Sequence, residues 1–98
     1  MILNWTSGIY IESTAGINNK ILDNTVRNNS NPGPATYGIY IGSNNNQNLI
    51  SGNKIYYPGG EGIYITSSSS SNLTHNLIVG TTAEGVYLSG ANSNLVFN

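Results

Sequence analysis

Cysteine is missing from this chain of 98 residues and charge is scarce: three Lys or Arg, four Asp or Glu and one His, for a net charge of -1. Without cysteine there is neither a disulfide frame nor a thiolate metal site. Without clusters of Lys and Arg there is no electrostatic case for nucleic acid or for an anionic membrane surface as partner. No apolar run approaches the length of a membrane span, and Met1-Ile2-Leu3-Asn4 does not read as a signal peptide. Any export signal is therefore expected to have been removed, or the chain to be a piece of something longer. The polar residues are mostly Asn, Ser, Gly and Thr, a composition that taken alone suggests disorder. Evenly spaced β-branched and aromatic residues argue instead for one domain over residues 1–98, near the lower end of what buries a core unaided.

The organising phrase is Gly62-Ile63-Tyr64-Ile65, which the chain states four times. It occurs as Gly8-Ile9-Tyr10-Ile11, as Gly38-Ile39-Tyr40-Ile41 and as Gly85-Val86-Tyr87-Leu88, at intervals of 30, 24 and 23 residues. Periods of that size mark solenoids. A second phrase follows each time: Ile21-Leu22-Asp23-Asn24-Thr25-Val26, Ile50-Ser51-Gly52-Asn53-Lys54-Ile55 and Leu73-Thr74-His75-Asn76-Leu77-Ile78, with Leu95-Val96-Phe97-Asn98 a shortened copy. Asn4, Asn24, Asn53, Asn76 and Asn98 thus share one phase, and the chain holds four turns of a repeat.

Each turn reads as two short runs with apolar residues two apart, the period of a strand with one buried face. The segments between them are too short and too rich in Gly, Asn and Ser for a crossover helix. An all-β coil that climbs one strand spacing per turn meets these constraints: a parallel β-helix, with like positions stacked about 4.8 Å apart. Its bore would be filled by ladders of aliphatics. The shared asparagines would form an interior ladder, since an amide carries both donor and acceptor and stacked copies satisfy one another. The glycine before each apolar run is expected to make a sharp corner with positive φ. The linker after the first run shortens by one residue per coil, while residues 28–37, with Pro32-Gly33-Pro34, form the one long loop.

The pattern Gly-Ile-Tyr-Ile, a polar turn, then Asn-x-Ile, resembles the right-handed parallel β-helix repeat over essentially all 98 residues. It is similar to repeats in pectate lyases, alginate epimerases, phage tailspikes and the carbohydrate-binding and sugar-hydrolysis group. The resemblance implies a right-handed, single-stranded solenoid of about four coils with uncapped ends. It implies an extracellular, cell-surface or phage-particle location and polysaccharide as the partner.

Tyr10, Tyr40, Tyr64 and Tyr87 lie between inward aliphatics and should point out of one sheet, forming a strip about 15 Å tall from the strand spacing. Such a strip is either a platform for sugar rings or a stacked row that stabilises its own sheet. Glu61 and Glu84 share a phase on adjacent coils. A close carboxylate pair can act as acid and nucleophile on a glycosidic bond or hold Ca2+, as in some lyases. The third position in that phase is Tyr37, so no hard-cation site is completed, and no cofactor or metal is expected. Asp23 and His75 share a phase with Gly52 between them, two coils or roughly 10 Å apart, too far for a hydrogen bond. Lys20, Arg27 and Lys54 occupy different phases and form no basic ridge. Exposed strand edges at the end coils, where Trp5 and Phe97 lie nearby, predict a homo-oligomer. The reading that results is a non-catalytic module binding polysaccharide along the Tyr ladder. The alternatives are a structural or adhesive β-helix segment of a phage or cell-surface fibre, and a small polysaccharide lyase or hydrolase using Glu61 and Glu84.

Overall fold

The computed structural model describes residues 2–3, 7–12, 17–27, 37–42, 45–91 and 93–97, with the backbone alone at Ile2, Leu3 and Phe97. Each coil contributes three strands. The first coil holds β1 (Ile2–Leu3), β2 (Ser7–Glu12) and β3 (Lys20–Leu22). The second holds β4 (Thr25–Arg27), β5 (Tyr37–Gly42) and β6 (Leu49–Ser51), and the third β7 (Lys54–Tyr56), β8 (Ile63–Thr66) and β9 (Asn72–Thr74). The fourth holds β10 (Leu77–Val79), β11 (Val86–Ser89) and β12 (Leu95–Phe97). Three all-parallel sheets result, ordered β1-β4-β7-β10, β2-β5-β8-β11 and β3-β6-β9-β12. This is a parallel β-helix of four coils. The second sequence phrase, expected as one run, is two strands, because its asparagine turns the chain through a corner between them.

Register follows the repeat through the interior coils and departs from it at both ends. Val96, not Leu95, stacks on Leu73, and Ile2 pairs with Val26. The asparagine phase therefore holds for Asn24, Asn53 and Asn76, and the fourth linker is as long as the third rather than one residue shorter. Ile39 pairs with Ile63, Tyr40 with Tyr64 and Ile41 with Ile65, and Ile21 stacks on Ile50 and Ile50 on Leu73. A one-residue slip would turn every ladder inside out, so the alternation of apolar and polar positions enforces the pairing. Ile39, Ile41, Ile50, Ile55, Ile63 and Ile65 are wholly buried. Each contributes about 1.5–3 kcal/mol relative to exposure. At the fourth coil the same columns open, with Leu88 and Val96 exposed.

The asparagine phase forms the interior ladder. The Asn53 side-chain amide donates to Asn76 Oδ1 (3.0 Å) and to the Ile21 carbonyl (2.9 Å), while Asn53 Oδ1 accepts from the Asn24 backbone N–H (3.0 Å). Asn76 repeats the pattern one coil up, accepting from the Asn53 N–H (3.1 Å) and donating to the Ile50 carbonyl (2.9 Å). Asn4 and Asn98 lie outside the described residues, as do Trp5 and the Pro32-Gly33-Pro34 loop.

A second amide ladder was not anticipated from the repeat. Asn19 Nδ2 donates to Asn48 Oδ1 (2.9 Å), Asn48 Nδ2 to Ser71 Oγ (3.2 Å), and the Ser71 N–H to Asn94 Oδ1 (2.8 Å). Each of these residues stands immediately before a strand of the β3-β6-β9-β12 sheet. The signal was present in the sequence, but serine replaces asparagine in one coil and the flanking Asn-rich turns hide the phase.

The glycines before each Tyr strand have a different cause from the expected one. None of Gly8, Gly38, Gly62 and Gly85 has positive φ. What excludes a side chain is the next coil: a Cβ on Gly38 would lie 2.5 Å from the Gly62 carbonyl oxygen and 2.5 Å from Ile55 Cγ2. Positive φ falls at other corners, in columns: Asn18, Gln47, Ser70 and Ser93; Asp23, Gly52 and His75; Tyr57 and Gly80; Ser67 and Gly90. Polar residues and glycine dominate these columns because they tolerate the left-handed region at least cost.

Candidate functional site

Strands β2, β5, β8 and β11 bring the four tyrosines of the repeat into one column on the outer face of their sheet, in the register Tyr10–Tyr40–Tyr64–Tyr87. Flanking aliphatics point into the bore, so strand alternation alone aims the phenols outward. Ring centroids are 4.7 Å apart for Tyr10 and Tyr40, 5.5 Å for Tyr40 and Tyr64, and 5.1 Å for Tyr64 and Tyr87. A fifth ring joins them. Tyr37, at the start of β5, lies 5.3 Å from Tyr40 and 5.0 Å from Tyr64.

The rings face one another along the helix axis. Tyr10 and Tyr40 are nearly parallel, at 10°, and the others are tilted by 25–52°. The rings of the repeat thus form one continuous row, the arrangement that both a platform and a self-stabilising stack require. Open ring surface is concentrated at the two ends of the row, where Tyr10 is 55% and Tyr87 40% exposed. Room for this packing comes partly from Gly42, whose Cβ would meet the Tyr40 hydroxyl at 2.7 Å.

Carboxylates border the row. The Tyr10 hydroxyl donates a hydrogen bond to the Glu12 carboxylate. That bond, with some burial and the charge of Glu12, pushes the Tyr10 phenol up to about 12. Burial, then the negative charge of Glu61, raises Tyr37; burial, then Glu12, raises Tyr40. Glu61 and Glu84 stand one above the other in the column that begins with Ser7 and Tyr37: the Gly38 N–H bonds to the Glu61 carbonyl (3.1 Å) and the Gly62 N–H to the Glu84 carbonyl (3.0 Å). Glu61 is half-buried and Glu84 exposed. The three cations lie on the other two sheets, Lys20 on β3, Arg27 on β4 and Lys54 on β7, and Arg27 sits 5.5 Å over the Tyr56 ring.

Asp23, Gly52 and His75 form a corner column, stacked through the bonds from the Asp23 N–H to the Ser51 carbonyl (3.0 Å) and from the Gly52 N–H to the Thr74 carbonyl (3.1 Å). The Asp23 carboxylate leans into the space that a side chain on Gly52 would fill. All three are corner residues with left-handed backbone.

A parallel β-helix with an outward tyrosine row and interior amide ladders defines a solenoid of the carbohydrate-binding and pectate-lyase-like kind. Within that class, the chain belongs to the NosD family: the family model described as periplasmic copper-binding protein (NosD) matches residues 1–98. No curated protein and no solved structure matches the chain. The family description places NosD in the periplasm, which corrects the expectation of an extracellular, cell-surface or phage-particle location. That expectation rested on resemblance alone; a cysteine-free stack of aliphatic and amide ladders is insensitive to redox state and carries no mark of compartment. Among the described residues no helix is long and apolar enough to cross a membrane.

Copper does not fit the residues of this chain. Cu(I) draws on thiolate and thioether and copper generally on imidazole, whereas the sequence holds no Cys, one Met and one His. Among the described residues no three His, Cys, Asp or Glu come together as a metal site.

Proposed function

We propose that this chain is a non-catalytic β-helix module that binds polysaccharide along the row Tyr10, Tyr40, Tyr37, Tyr64 and Tyr87. The observation that carries this reading is the unbroken contact of five phenol rings on one outer face, with exposed rings at its ends. Aromatic rings supply large rigid contact area and phenol hydroxyls supply hydrogen bonds, the pairing that an amphipathic sugar ring requires. Ring centroids 4.7–5.5 Å apart set the phenols in a continuous row along which an extended chain can lie. Tyr10 and Tyr87 offer the open ring surface against which apolar C–H faces pack.

Calorimetric titration against neutral and charged polysaccharides tests this, with Tyr64→Ala and Tyr64→Phe alongside. Binding through the row predicts saturable heat that Tyr64→Ala loses and Tyr64→Phe weakens, with both variants folded by circular dichroism. Absence of heat from every glycan refutes it.

A second reading has its own support. Rings that face one another satisfy their own contacts, as expected of a row that stiffens the sheet of a structural β-helix segment. On that reading Tyr64→Phe leaves every property intact and Tyr64→Ala lowers only the melting temperature.

A further inference from the structure

The tyrosine row lies in a field of one sign. Every glutamate of the chain lies on the strands of the row or on the turns that lead into them: Glu12 bonded to Tyr10, Glu61 near enough for its charge to act on Tyr37, and Glu84 one coil above Glu61 in the same column. Every lysine and arginine lies on β3, β4 or β7, strands of the other two sheets. A net charge near zero for the whole chain therefore hides a segregated surface. Such separation sets which ligands approach a face and which are repelled.

Resting on the glycan-binding reading above, we infer that the row selects sugars bearing free amino groups over those bearing carboxylates. A protonated amine meets two complementary features here. The glutamates accept charge-assisted hydrogen bonds from it, and tyrosine rings attract a cation through their quadrupole. A polyuronate meets the opposite: its carboxylates approach Glu12, Glu61 and Glu84 with no cation on the sheet to pair with them. Like charges brought together at a binding face are a means of rejecting the wrong partner. Acidic polysaccharides are thus the class that this face excludes.

The test is calorimetric, with three hexamers as probes at pH 6 and low salt: glucosamine, N-acetylglucosamine and galacturonic acid. The expected order places the glucosamine hexamer at least tenfold tighter than the galacturonate hexamer. Its preference over the N-acetylated hexamer should shrink several-fold in 0.5 M salt and collapse in the double variant Glu61→Gln/Glu84→Gln, with folding checked by thermal melting. Galacturonate binding as tightly as glucosamine, or a preference unchanged in the double variant, overturns the inference while leaving the glycan-binding reading standing. Silence from all three hexamers overturns the inference, and silence from the whole panel of neutral and charged polysaccharides removes the glycan-binding reading as well.

Discussion

Ile55 Cγ2 lies 2.5 Å from the point where a Cβ on Gly38 would stand, and the Gly62 carbonyl oxygen closes the same space from the next coil. The equivalent point at Gly85 has no heavy atom within 4 Å. One sequence position of the repeat is therefore sterically forbidden in the interior coils and open in the last. Gly38→Ala is expected to destabilise by roughly 1–3 kcal/mol, the usual cost of overpacking. Gly85→Ala should stay within about 0.5 kcal/mol of the parent. Denaturant melts of the two variants check the contrast; equal effects would mean that the neighbouring coil does not govern the site.

Asn53 is the interior member of its ladder, fully buried, and its amide serves the Ile21 carbonyl, Asn76 Oδ1 and the Asn24 backbone N–H. Removing it leaves these groups in the bore without their partner, at about 1–3 kcal/mol for each that stays unsatisfied. Asn53→Ala is expected to cost at least ~2 kcal/mol. Asn72→Ala, on the exposed outer face of β9, should fall within about 0.5 kcal/mol of the parent. Chemical denaturation of both reads the difference directly.

Tyr10 ionises late because Glu12 accepts a hydrogen bond from the phenol O–H and sets a negative charge beside the phenolate that would form. Its folded value of about 12 lies above the ordinary 10.0. The protonated phenol is thus favoured in the folded state, and the contribution to stability is complete below pH 10 and lost as pH rises towards 12. Phenolate absorbance against pH should show a late step for Tyr10 that Glu12→Gln moves down towards 10 and that Tyr10→Phe removes. An unmoved step would mean that the hydrogen bond is not its cause.

Copper titration of the purified chain addresses the family description. With a single imidazole, on exposed His75, and no thiolate, neither Cu(I) nor Cu(II) should form a stoichiometric complex tighter than one imidazole supports. His75→Ala should abolish what binding remains. A tight one-to-one complex that survives His75→Ala would reveal ligands that the described residues do not display.

The ladders of Ile39 and Ile63, the outward aim of Tyr40 and Tyr64 and the column of Asn24, Asn53 and Asn76 were all legible in the sequence. In a β-helix a residue's neighbours in space are its own copies one period away, so periodicity is itself a contact map. Legibility ended wherever the answer depended on what occupies the space between coils. Gly38 looked like a turn residue until Ile55 and the Gly62 carbonyl were seen to fill the room for its side chain. Tyr37 looked like a loop residue until its ring was found against both Tyr40 and Tyr64. Asn19, Asn48, Ser71 and Asn94 formed no visible phase because hydroxyl and amide replace one another in a ladder that needs only a donor and an acceptor.

By itself, then, the sequence determined the solenoid, its four coils and, through the interior coils, the side of the sheet on which each repeated residue lies, because a period of two within a period of about 23 fixes the register there. At the last coil stacking on β9, and not the spacing, put Val96 rather than Leu95 above Leu73. The tertiary structure alone decided that five tyrosine rings stack in contact along one face, nearly parallel at Tyr10 and Tyr40 and tilted elsewhere. Side-chain torsions are settled by the packing of one coil on the next, which no spacing along the chain encodes. Stacking also gathered Glu12, Glu61 and Glu84 along one row and left Lys20, Arg27 and Lys54 on the other two sheets.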